Sequence, residues 1–174
     1  MEFWEALKKR RSVREFDPQR EVPPEMVEKL LEAAVLAPTA GDRQPWRFVV
    51  IRDQKVKEAV GKCALRQGFI ATAPVMIVVC GEPERSGARG GHVMADLHTV
   101  QDTSAAAMNI LLAATDAGLD SCWVSALREE ELHQVLKLPE AFRPLVIIPI
   151  GYLARRPGSR PPRRPLNEVT TYID

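Results

Sequence analysis

The stretch Gln101–Leu119, QDTSAAAMNILLAATDAGL, does most to constrain the fold, because alanines, leucines and other small or apolar residues fall on nearly every side of its helical projection. A helix that is apolar all round has to be buried. The rest of the chain must therefore wrap it, and Gly118 stands where such a helix would end.

Other segments have the patterns to do the wrapping. VPPEMVEKLLEAAVLAP begins with prolines suited to a first helical turn, repeats Met26, Leu30, Ala33 and Ala37 at steps of three and four, and stops at Pro38, which predicts a helix. MEFWEALKKR sets Phe3, Trp4 and Leu7 on one apolar face and gathers basic residues in its last turn, where the helix dipole favours cations. QKVKEAVGKCAL and REEELHQVLKL also have helical spacing, whereas PWRFVVIRD and PVMIVVC are β-branched or apolar throughout and predict strands. DSCWVSAL predicts a short strand, and FRPLVIIPIGYL a strand broken by its prolines. Between Gly81 and Val100 the chain is glycine-rich and mixed in charge, with little periodicity, which predicts a long loop or lid. No internal repeat is visible, and 174 residues with 45% hydrophobic content suit one domain over 1–174.

From Ala154 the composition changes to ARRPGSRPPRRPLNEVTTYID, rich in arginine and proline and poor in core-forming residues until its end. Such a segment cannot fold alone. The alternation of polar and apolar residues in LNEVTTYID predicts an extended arm over 154–174 laid on another subunit.

Charge narrows the function. Lys plus Arg is 24 and Asp plus Glu is 23, a net charge of +1, which argues against general attraction to nucleic acid or membrane and for a localised anion. The arginine-rich tail lacks the interleaved aromatics of a nucleic-acid module. The start of the chain lacks the apolar stretch of a signal peptide, and its strongest apolar run is too short to span a bilayer, so a soluble cytoplasmic protein is expected. Cys63, Cys80 and Cys122 form no CxxC pair and read as packing residues. His92, Asp96 and His98 are residue types that bind metal, but their setting reads as solvated and no metal is expected. GARGG fits neither a dinucleotide nor a Walker loop.

Against that balance, KKRRSVREF carries five basic residues in the seven positions from Lys8 to Arg14. Arg10, Arg11 and Arg14, together with Arg160, Arg163 and Arg164 of the tail, could converge on one anion, with Ser12 adding a neutral donor. The guanidinium fork matches phosphate oxygens. The alternative is a set of solvated surface charges. A second candidate is APTAGDRQPW, where small residues at Thr39, Ala40 and Gly41 could bring backbone close to a flat ligand; the alternative is a plain turn with Trp46 in the core.

RRSVREF, APTAGDRQPWRFVVI, QDTSAAAMNILLAATDAGLDSCWVSAL and PIGYL, followed by a proline and arginine tail, stand in an order that resembles the FMN-dependent nitroreductase superfamily over nearly the whole chain. The resemblance implies an α+β sandwich with a central, mainly antiparallel sheet flanked by helices. It also implies an intertwined homodimer with exchanged C-terminal arms and FMN in each of two interface clefts. Arg10, Arg11, Ser12 and Arg14 would then grip the FMN phosphate and ribityl chain, with Arg163 or Arg164 as a second phosphate contact. Pro38, Thr39 and Ala40 would line the flavin from the partner subunit, with Gln44 nearby. Trp123, Val124, Ser125 and Ala126 would pass along the isoalloxazine ring, one backbone amide facing N5. The implied activity carries a hydride from NAD(P)H through flavin N5 to a nitroaromatic, quinone or flavin acceptor in ping-pong order. No acid or base residue is required. The family often has asparagine where this chain has Asp42, so Asp42 is expected either to pair with Arg43 or another cation, or to point to solvent. Outside simple reduction stand a non-catalytic FMN-storage protein and a superfamily member with a specialised flavin reaction.

Overall fold

The computed structural model describes residues 1–65, 67–87, 91–155 and 158–173. In chain order its elements are α1 (Phe3–Lys9), α2 (Pro24–Val35), β1 (Trp46–Ile51), α3 (Gln54–Cys63), β2 (Val75–Gly81), α4 (Pro83–Ser86), α5 (His92–Asp116), β3 (Asp120–Ser121), α6 (Glu129–Leu136) and β4 (Arg143–Gly151). The strands form one antiparallel sheet in the order β1-β2-β4-β3.

β2 is buried along its whole length because helices cover both faces of the sheet. On one face Val75, Ile77 and Val79 pack with Ile148 and Ile150 against α2 and α5, whose Leu30, Ala34, Ala106, Ala107 and Ile110 complete that layer. On the other face Met76, Val78 and Cys80 meet Val60 and Cys63 of α3 and Leu132 of α6. The period-two alternation of a strand sends adjacent residues to opposite faces, and a sheet covered on both sides needs apolar residues at every position. That is why β2 reads as a continuous apolar run.

α5 is the apolar helix anticipated from composition, and Gly118 follows it with φ +74°. It begins earlier than expected, however. The segment from Gly81 to Val100 is not a long loop: α4 occupies Pro83–Ser86 and α5 starts at His92, while residues 88–90 lie outside the described residues. The first turns of α5 bury Ala95, Thr99 and Thr103 rather than large apolar side chains. Thr99 donates to the Ala95 carbonyl at 2.8 Å and Thr103 to the Thr99 carbonyl at 2.6 Å, so their hydroxyls are satisfied within the helix.

β4 is likewise continuous where an interruption was expected. Pro149 pairs across from Met76 of β2, while its carbonyl accepts the Cys122 amide at 3.3 Å. A strand residue's N–H and C=O point to the same neighbour, so the missing N–H of Pro149 falls on the side of short β3 and costs β2 no bond. The other proline, Pro144, sits beside a register shift opposite Val79 and Cys80. The apolar face of α1 is not covered within this chain: Phe3 and Trp4 are 63% and 71% exposed, and Ala6 is the residue α1 buries.

Candidate functional site

The basic stretch after α1 is pinned to the body at two buried side chains. Val13 and Phe16 are buried with Ala73, packed by Phe69 and Leu153, while Ser12 and Arg14 are exposed. The Val13 amide donates to the Ser121 carbonyl at 3.0 Å, and the Ala154 amide to the Glu15 carbonyl at 3.0 Å. One set of residues thus anchors the segment and the other faces a cleft.

That cleft has a volume of about 740 Å³ and brings Arg10, Arg11, Ser12 and Arg14 together with Arg155, Arg160 and Arg163. The two basic clusters, about 150 residues apart in sequence, do converge. Arg11 Nη2 donates to the Gly158 carbonyl at 2.8 Å and Arg160 Nη2 to the Arg10 carbonyl. Burial, then Arg160 and Arg163, pushes the Arg10 guanidinium below its ordinary pKa. Glu15 is the one carboxylate among the lining residues. Arg11 Nε is buried and has no hydrogen-bond partner among the described residues. A cluster of mutually repelling guanidiniums with an orphaned donor is suited to an anion rather than to ion pairing within the protein. Arg164 turns away and bonds to Glu168 at 3.3 Å, whereas Arg163 lines the cleft.

β3 runs directly beneath this basic strand: Ser12 bridges Ser121, and the next residue, Cys122, places its thiol beside Ser12. Burial, opposed by Arg14, Ser12 and Arg10, raises the Cys122 thiol above its usual pKa, which disfavours the thiolate. Trp123 to Ala126 continue from there. Val124 is buried and exchanges hydrogen bonds with Ile147 at 3.0 and 2.8 Å, so its amide is used by the sheet. Ser125 and Ala126 are exposed and Trp123 is half-buried, and an amide facing a ligand from this segment would belong to one of these three.

None of Pro38, Thr39, Ala40 and Gln44 lines the arginine cleft. They sit beyond the end of α2, in a loop pinned to α5. The Thr39 hydroxyl and the Ala40 amide both donate to Asp102 Oδ2, at 2.7 and 3.0 Å, and the Gln44 amide donates back to Thr39 Oγ1 at 2.9 Å. Asp42 is exposed and accepts from Gln44 Nε2 at 2.8 Å, which answers the question its charge raised without Arg43. Arg43 instead packs its guanidinium near Gly87, and its carbonyl accepts from Arg85 Nε at 2.7 Å. Sequence reasoning missed Asp102, although a carboxylate just before the alanine run of an apolar helix was a signal. It also missed Arg155 and Ser159 of the cleft, which only the return of the tail brings there. Asp96 pairs with Arg143 at 3.1 Å. Among the described residues no helix is long and apolar enough to cross a membrane.

The sequence profile of the Nitroreductase family matches residues 7–67 and 59–152. A relative from Methanothermobacter thermautotrophicus, under the provisional name NADH dehydrogenase/NAD(P)H nitroreductase, is 37% identical over 164 residues, which cover 92% of this chain and 82% of the relative. A crystallised nitroreductase family protein from Clostridium difficile is 33% identical with a TM-score of 0.84, covering 99% of this chain and 98% of its own. A protein from Exiguobacterium sibiricum, crystallised in complex with FMN, superposes with a TM-score of 0.91 at 20% identity over 99% of this chain and 98% of its own, a likeness of fold. The chain belongs to the nitroreductase family.

Proposed function

We propose that this protein is an NAD(P)H-dependent FMN oxidoreductase, built as one FMN-binding domain over 1–174 and working as a homodimer. The observation that carries the reading is the arginine cleft, whose unpaired positive charge and orphaned Arg11 Nε fit a phosphate monoester. The FMN complex of the structurally similar protein and the name of the archaeal relative support it.

FMN, when bound, supplies two-electron chemistry, taking a hydride from NAD(P)H and passing it to an oxidised acceptor such as a nitroaromatic, quinone or flavin in ping-pong order. The chain's own residues do the rest. Arg10, Arg11, Ser12 and Arg163 hold the phosphate, and Arg14 extends the positive edge along the same strand, its guanidinium 6.0 Å from the Phe69 ring. Backbone from Trp123 to Ala126 offers the amides of Trp123, Ser125 and Ala126. Pro38, Thr39, Ala40 and Gln44, which stand outside the cleft of their own chain, are proposed to reach the cofactor of a second copy.

A second copy also accounts for apolar surface left bare here. Phe3, Trp4, Val35 and Leu36 are exposed, as are Leu166, Val169, Tyr172 and Ile173 of the arm, and extended apolar patches mark association surfaces. Gly158 to Arg163 of the expected arm lie on this chain's own cleft, and it is the apolar end from Leu166 to Ile173 that is proposed to cross to the partner.

Absorbance of the purified protein, followed by anaerobic addition of NADH and then NADPH, tests the reading. Flavin bands that bleach are expected. Bands that persist with both donors favour FMN storage, and a colourless protein that takes up no FMN sinks the cofactor assignment. Parallel double-reciprocal plots are expected for the shared cleft, and intersecting ones count against it.

A further inference from the structure

Whether Gly158–Arg163 stays on the cleft depends on charge. Every residue of that segment is exposed, so it contributes no buried apolar side chain to hold it down. Its described side-chain ties to the body are two, from Arg11 Nη2 to the Gly158 carbonyl and from Arg160 Nη2 to the Arg10 carbonyl. Both use neutral acceptors. Neither cancels the charge that Arg160 and Arg163 bring to Arg10, and Glu15 is the one carboxylate lining the cleft. Closing this segment without a counter-ion brings like charges together across a half-buried site. A phosphate monoester, carrying about −1.5 to −2 near neutral pH, reverses the sign, because each guanidinium then faces an oxygen it can bond. Arg11 Nε supplies a donor left unused among the described residues.

We propose that Gly158–Arg163 is a phosphate-latched strap, closing when a phosphate monoester bridges Arg10 and Arg11 to Arg160 and Arg163, and that this latch makes the site select phosphorylated over unphosphorylated flavin. The inference rests on the FMN reading through the phosphate alone. Coupling is reciprocal: the factor by which phosphate favours closure is the factor by which a closed strap tightens phosphate.

Limited trypsin digestion in phosphate-free buffer tests it. Arg160 and Arg164 precede prolines, so the susceptible bond inside the strap's end is Arg163–Arg164, and its cleavage is followed by mass spectrometry. Saturating FMN or inorganic phosphate should slow that cleavage about tenfold, the effect of one charge-assisted bond. Riboflavin, at concentrations where its quenched fluorescence shows it bound, should leave the rate within about twofold of buffer alone. Arg160→Glu, which replaces repulsion of Arg10 with attraction, should slow cleavage without any ligand, and Arg160→Ala should not. Equal protection by riboflavin and FMN, or an Arg160→Glu strap cut as fast as the native one, overturns the latch. FMN retained with an unprotected strap sinks the latch and keeps the flavin reading. Protection by inorganic phosphate in a protein that takes up no FMN keeps the latch and sinks the flavin reading.

Discussion

The Thr39 hydroxyl donates to Asp102 Oδ2 across 63 residues of sequence, at 2.7 Å. That oxygen also receives the Ala40 amide, and Thr39 Oγ1 in turn receives the Gln44 amide, so one buried carboxylate closes the loop into a ring. The ring holds Gly41, Asp42 and Gln44 at φ of 60°, 55° and 51°, a region that costs a non-glycine residue about 1–2 kcal/mol. Asp102→Ala leaves two donors without their acceptor and should destabilise the fold by about 1–3 kcal/mol, measured by urea denaturation. Asp102→Asn keeps an acceptor oxygen and should lose less. Equal stability of the alanine variant and the native protein would show that the loop stands without the carboxylate.

Arg14→Ala removes a guanidinium from the cleft while sparing the buried Val13 and Phe16 that hold the strand. Loss of one charge-assisted contact should weaken FMN about tenfold or more, read from flavin fluorescence on titration. Unchanged flavin retention would remove Arg14 from the site.

The strand carrying those arginines depends on a glycine at the end of β4. A Cβ at Gly151 would stand 2.9 Å from Pro74 Cγ and 3.2 Å from Phe16 Cδ1, and the ring of proline cannot yield as a long side chain would. Gly151→Ala should cost about 1–3 kcal/mol by overpacking and weaken FMN as well, because Phe16 anchors the basic strand. A variant that melts like the native protein and retains flavin would show that Pro74 and Phe16 shift freely.

The sequence made β2 legible because burial on both faces leaves a continuous apolar run, and α2 because Pro24 at its start and the steps through Leu30 leave little choice. It hid the first turns of α5, since Thr99 buries a hydroxyl bonded to its own helix and contributes no apolar period. It hid the continuity of β4, because whether a proline breaks a strand depends on which neighbour its missing N–H would have faced. Charge set against a neutral whole raised the convergence of Arg10, Arg11 and Arg14 with Arg160 and Arg163 but left solvated surface charges as the alternative, because composition does not show where the tail returns. The departure of Arg164 was not, since it depends on Glu168 standing one turn along. Asp102 went unread because a pattern shows spacing along a helix and not what a distant loop places beside it.

Lys57 is 5% exposed, and its ammonium donates to the Ala73 carbonyl at 2.7 Å at the entry to β2. Burial, opposed by Asp53 and Glu58, lowers its pKa from the ordinary lysine value. Between the lowered folded pKa and the unfolded one the unfolded chain holds more protons, so stability should rise as pH rises through that window. The difference in unfolding free energy between native protein and Lys57→Met should therefore move in favour of the native protein as pH rises towards the ordinary lysine value of about 10.4. A difference independent of pH would mean that the ammonium is solvated as well in the folded chain as in the unfolded one.

Ending the chain before Arg155 removes Arg160 and Arg163 from the cleft and, further along, the exposed Leu166, Val169, Tyr172 and Ile173. On the proposed reading these are two separable losses, one of the proposed phosphate contacts and one of apolar surface proposed to meet a second subunit. The truncated protein should lose flavin and shift towards monomer at dilution, followed by absorbance and by sedimentation. Ending it after Pro165 keeps both arginines and discards the apolar end. That variant should retain FMN more tightly than the shorter one while still dissociating, if phosphate contacts belong to the arginines and association to the apolar end as proposed. If both variants stay yellow and dimeric, the arm serves neither purpose, and the bare faces of α1 and α2 must carry the dimer alone.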